Sequence, residues 1–112
     1  LWGSRNLIIS TPILRFFSEC FLPGMDPEGR RRSELSPLYA DLAGLVPALF
    51  TVGTLDPLLD DTLFMHARWS AAGNPAELSV WREAVHLFTL LPIPAGRAAR
   101  ERQHEFLRSA IA

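Results

Sequence analysis

The stretch Ala48-Leu49-Phe50-Thr51-Val52-Gly53-Thr54-Leu55-Asp56-Pro57 decides how this chain folds. Ala48 to Val52 is a short, continuously apolar run with a β-branched end, the pattern of a strand covered on both faces of a parallel sheet. Gly53-Thr54-Leu55 makes the loop after it, and Asp56-Pro57 supplies a helix cap followed by a first-turn proline. The helix predicted from there runs to about Ala72, where Gly73-Asn74-Pro75 stops it. Leu59, Leu63, Ala67 and Ser70 share one face, with Phe64 and Ala71 at its flank, so that side is expected to pack inward. Asp60 and Asp61 suit the positive end of the helix dipole.

Further along, Ala76 to Arg82 alternates, with Ala76, Leu78 and Val80 on one side and Glu77, Ser79 and Trp81 on the other. This predicts a strand with one wetter face, nearer the sheet edge. Strand, helix and strand form a βαβ unit, whose crossover is almost always right-handed. Glu83 to Pro94 is a loop carrying His86, and Ala95 to Ile111 is an amphipathic helix expected to turn Ala99, Phe106, Leu107 and Ala110 inward. In the other direction, Trp2, Gly3 and Ser4 open the chain ahead of Leu7-Ile8-Ile9, and Thr11 caps a helix with Pro12 in its first turn. From Ile13 to Leu22, the residues Ile13, Phe16, Phe17, Cys20 and Phe21 have helical spacing. That face is expected to pack on a core, with the lining of an apolar cavity as the alternative. Pro23 to Ser36 reads as a surface loop in which Arg30, Arg31 and Arg32 are solvated. The fold class is α/β, in one domain over residues 1–112.

Composition excludes several functions. The chain has 112 residues, 48% of them hydrophobic and 21% charged, with a net charge of −1, which describes an ordinary folded domain. Such a balance leaves no electrostatic footprint for nucleic acid. All 11 basic residues are arginine, so chemistry that needs a lysine amine is absent. The lone Cys20 has no disulfide partner and reads as a small buried hydrophobe in a reducing, cytoplasmic compartment. No apolar run approaches the ~20 residues of a membrane span. The chain begins at Leu1 rather than methionine and no signal-peptide pattern follows, so the expectation is that either further sequence precedes it or it was cut to begin there.

The chemistry-bearing residues are Asp56 and His86. An acid at the end of one parallel strand and a histidine in the loop after the next can meet above the sheet, where the acid orients the histidine as a general base. Taken singly, Asp56 is more simply a helix cap and His86 more often a satisfied, partly buried histidine, and only the joint pattern favours catalysis. His66 and His104 lie among polar neighbours and read as surface residues. No pair of histidines has metal-ligand spacing, and Gly53 is not followed by the other glycines of a dinucleotide fingerprint, so neither metal nor cofactor is expected.

Five blocks in order, Ser36-Pro37-Leu38, Leu45-Val46-Pro47-Ala48-Leu49, Gly53 to Asp61, Ala71-Ala72-Gly73 and His86-Leu87-Phe88, resemble the C-terminal part of the α/β-hydrolases related to hormone-sensitive lipase. The resemblance implies a parallel strand-helix-strand-helix unit preceded by a helix and loop, as part of a larger fold. It also implies a carboxylic ester hydrolase, an esterase or lipase, in which Asp56 and His86 are the acid and base of a Ser-His-Asp triad. Leu87 and Phe88 would border the acyl pocket of a small apolar ester, and Asp60 would support the histidine loop. Two departures stand out. Leu87 occupies a position where the family usually has glycine, and the chain contains neither a G-x-S-x-G elbow nor a pair of adjacent glycines for an oxyanion loop. The expectation is a segment inactive without an upstream serine region; the alternative is a non-catalytic remnant serving as a binding or assembly module, its uncovered edges pairing with another chain or a second copy.

Overall fold

In the computed structural model, which describes residues 7–112, β1 (Ala48–Gly53) and β2 (Ala76–Trp81) form a two-stranded parallel sheet. The register runs from Ala48 opposite Ala76 to Gly53 opposite Trp81. Both strands therefore end at the same level, and the loops that leave them begin side by side. The opening Trp2-Gly3-Ser4 lies outside the described residues.

Three helices accompany the sheet among the described residues: α1 (Thr11–Phe21), α2 (Leu59–Ala71) and α3 (Pro94–Ile111). Short 3₁₀ turns stand at Gly29–Arg31, Pro37–Tyr39 and Phe88–Leu90. α1 starts one residue earlier than its pattern predicts, with Ser10 as the N-cap. α2 ends in a Schellman motif, the N–H of Asn74 donating to Trp69 O at 3.2 Å and that of Gly73 to Ser70 O at 3.0 Å.

The pleat sorts the side chains onto two faces. Phe50 and Val52 share one face with Leu78 and Val80, and there Phe50 meets the rings of His66 and Trp69 edge-on, each at 5.8 Å between centroids. α2 thus covers the β1 side of this face. The opposite face, with Thr51, Ser79 and Trp81, lies under α3, whose Arg102 pairs with Glu77. The packed core on that side is Ala84, Phe88 and Ala99, joined by Trp81, Val85 and Ala95.

Side-chain orientation departs from the sequence reading at several places. α2 turns Thr62, Met65, His66 and Trp69 toward the sheet, while Leu63, Phe64, Ala67 and Ser70 are exposed. His66 is therefore half-buried against Phe50, and only His104 is the surface histidine that was expected. The face of β2 expected to be wetter is the better covered one: Ser79 accepts a hydrogen bond from the Trp81 indole at 2.8 Å, while Leu78 and Val80 remain exposed. On α3 Ala99 is buried and Phe106 half-buried, but Leu107 and Ala110 face outward.

The largest difference is α1. Phe16, Phe17 and Phe21 are 64%, 54% and 73% exposed, and Cys20 is exposed with them. The apolar spacing was right, but nothing among the described residues packs on it. In the following loop Arg31 and Arg32 are exposed, as expected, but Arg30 is not. Arg30 is half-buried and ties the loop to the helix, donating to Met25 O at 2.9 Å and pairing with Glu19 at 2.5 Å. No helix of the described residues is long and apolar enough to cross a membrane.

Candidate active site

The site is built where the two strands end. Gly53, the last residue of β1, lies so close to the Ala84 backbone that a Cβ on it would stand 2.0 Å from the Ala84 carbonyl oxygen. Only glycine permits that approach. Three hydrogen bonds then stitch the two outgoing loops together: Thr54 N to Trp81 O at 2.9 Å, Leu55 N to Ala84 O at 3.0 Å, and Glu83 N to the Thr54 hydroxyl at 2.8 Å.

Asp56 follows directly and is buried, at 7% exposure. Its Oδ1 accepts the Leu58 N–H at 2.8 Å, an Asx-type turn that leads into α2 three residues after Asp56 rather than at it. With that oxygen occupied, Oδ2 faces the other loop. There His86 Nδ1–H donates to Oδ2 at 2.9 Å. The imidazole is itself mostly covered, at 21% side-chain exposure, so this bond is shielded from competing water.

Donation from Nδ1 to a carboxylate fixes the neutral tautomer, leaving the Nε2 lone pair free to take a proton. A carboxylate anchored at both oxygens also stabilises the imidazolium that proton uptake creates. Chemically, such an arrangement can serve as an oriented general base. Among the described residues, no group of three or more histidine, cysteine, aspartate or glutamate side chains converges as a metal site.

The remaining sequence candidates fall in different places. Leu87 is half exposed beside His86 and has φ 58° and ψ 19°. A branched side chain in this left-handed region costs roughly 1–3 kcal/mol, and glycine would adopt it freely. Phe88 is 3% exposed, with its ring 5.8 Å from that of Trp81 in the core under α3. Asp60 is exposed in the first turn of α2, and its side chain makes no hydrogen bond to the histidine loop.

Two residues gave no signal in the sequence. A Cβ on Gly96, in the first turn of α3, would lie 2.5 Å from Phe88 O and 2.6 Å from Leu91 O. One turn on, the Arg100 guanidinium donates to Thr89 O and, at 3.4 Å, to Leu91 O. α3 therefore grips the turn directly behind His86.

The sequence of a known family, described as having the alpha/beta hydrolase fold, matches residues 3–90. The chain belongs to this family. It is 35% identical over 109 residues to an acetyl-hydrolase of Streptomyces hygroscopicus, a match covering 96% of this chain and 36% of that protein. Among solved structures, EstE1, a thermophilic carboxylesterase from a metagenomic library, superposes with a TM-score of 0.88 at 28% identity, over 99% of this chain and 38% of EstE1. A hormone-sensitive lipase from a metagenome library superposes at 0.83 with 30% identity, over 92% of this chain and 34% of the lipase. The parallel strands and flanking helices are a portion of the α/β-hydrolase fold, and the chain spans about a third of the length of the curated relatives it matches.

Proposed function

We propose that Asp56 and His86 are the acid and base of a serine-dependent carboxylic ester hydrolase acting on small apolar esters. The observation that carries this reading is the shielded 2.9 Å bond between His86 Nδ1 and Asp56 Oδ2, at the ends of adjacent parallel strands. Esterase relatives of the same fold support it.

In this reading Nε2 of His86 takes the proton of a serine hydroxyl as the oxygen attacks the ester carbonyl, and then delivers it to the departing alcohol. Water activated in the same way releases the acid from the acyl-enzyme. The serine and the donors that stabilise the oxyanion come from sequence outside these 112 residues, since no serine here has the G-x-S-x-G setting. Exposed beside the base, Leu87 borders the acyl group, while Asp60 acts only through the helix dipole. The setting is cytoplasmic, in keeping with an unpaired, exposed thiol at Cys20.

The decisive experiment replaces His86 by alanine in the protein that contains this chain together with its preceding sequence. Hydrolysis of p-nitrophenyl acetate should fall by about 10⁴-fold, as expected for loss of a triad member. An unchanged rate ends the assignment. A second reading, a non-catalytic binding module, is favoured by the bare aromatic face of α1. The coding sequence ahead of Leu1 separates the two: a G-x-S-x-G there supports the enzyme, and a nearby start codon supports the module.

A further inference from the structure

We infer that Arg100 is a positioning residue for His86, acting through the turn that follows the histidine. The consequence for rate rests on the proposed base role of His86; the consequence for ring orientation rests on geometry alone.

Leu87 is the weak point of the histidine loop. A branched residue at φ 58° returns to the extended or right-handed region unless both of its flanks are held. On one flank, the His86 ring is held by its bond to Asp56. On the other, the turn Phe88–Leu90 is held by α3, through the buried Phe88 ring, the close approach of Gly96 and the guanidinium of Arg100.

Of these three, Arg100 alone supplies directed bonds. The turn's own backbone donors use Val85 O, Leu87 O and Phe88 O, which leaves Thr89 O and Leu91 O to the guanidinium. Both bonds come from the same Nη1, whose two N–H groups reach the two carbonyls at once. Without Arg100, two partly buried acceptors lose their partner and the turn is free to move. Leu87 then leaves the left-handed region, and the imidazole swings off Asp56.

The test uses the full-length esterase. Arg100→Met keeps the aliphatic stem and removes the donors; kcat on p-nitrophenyl acetate should fall by about 10² with KM little changed, the scale of loss that a displacement of about 1 Å produces. Arg100→Lys should fall between the two. Adding Leu87→Gly to Arg100→Met should recover most of the loss, because glycine adopts a positive φ without strain and so has no drive to leave it. A merely structural role for Arg100 gives no such rescue.

Ring orientation is read from the proton NMR signal of His86 Nδ1–H, which is downfield and slow to exchange when bonded to a carboxylate. The signal should vanish in Arg100→Met, return in the double variant and persist in Arg97→Met, which removes an exposed guanidinium from the same helix. Retention of both kcat and the signal in Arg100→Met overturns the proposal. If that variant does not fold, Arg100→Lys is read by the same two measurements. Should His86→Ala keep full rate, the base role fails and the NMR signal alone decides for Arg100, its loss sustaining the inference and its persistence defeating it.

Discussion

Replacing Gly53 by alanine places a methyl carbon 2.0 Å from the carbonyl oxygen of Ala84. Ordinary contact between such atoms begins near 3.4 Å, so the two backbones must separate by more than about 1 Å. The obstacle is main chain rather than a side-chain tip, and no rotamer change relieves it. The same movement strains the bond from Leu55 N to Ala84 O, now 3.0 Å, and a typical bond of that kind contributes about 1 kcal/mol. Overpacking itself costs roughly 1–3 kcal/mol. Together these give a loss of about 2–4 kcal/mol in unfolding free energy, measured by urea denaturation of the full-length protein. Because Ala84 and Leu55 lie beside His86 and Asp56 in the two loops, kcat for p-nitrophenyl acetate should also fall by about 10². A Gly53→Ala protein within about 0.5 kcal/mol of the parent, with kcat unchanged, would refute the view that this close approach sets the site.

Asp56→Asn preserves an acceptor for Leu58 N–H but no longer orients the imidazole tautomer, so kcat should drop by about 10⁴ with little change in melting temperature. Asn74 is buried, its amide donating to Leu42 O at 2.6 Å and its carbonyl accepting from Leu45 N at 2.9 Å. Asn74→Ala should therefore lower stability by about 2–3 kcal/mol in urea titration, and leave KM for the ester as it was, since the residue serves the far end of β1. The 112-residue chain alone should show no turnover of p-nitrophenyl acetate and should self-associate in sedimentation experiments, through the exposed Phe16, Phe17 and Phe21. Clean monomers with turnover would contradict both functional readings.

What could be read from the residues alone was whatever depends on local order. The apolar run ending at Gly53, the Asp-Pro junction and the Gly-Asn-Pro stop located β1, α2 and β2 to within a few residues. Which way a side chain faces depends on what lies opposite, and the linear pattern does not contain that. α2 has apolar residues around much of its circumference, so the aromatic contact of Phe50 with His66 and Trp69 selected a face that hydrophobic spacing did not. Likewise Phe88 follows His86 closely, and it is the left-handed turn at Leu87 that rotates it into the core. Arg100 and Gly96 were illegible for another reason: what they bind are carbonyl oxygens, which every residue carries, so no residue type in the turn signals a partner.

Because Gly53 and Trp81 are register partners, the sheet works as a ruler for the two loops. A strand advances about 3.3 Å per residue, so a two-residue slip of β2 against β1 shifts one loop by about 6.6 Å, beyond the reach of any hydrogen bond. Length changes within either strand, or in the few residues linking them to Asp56 and His86, should therefore be purged from related genes.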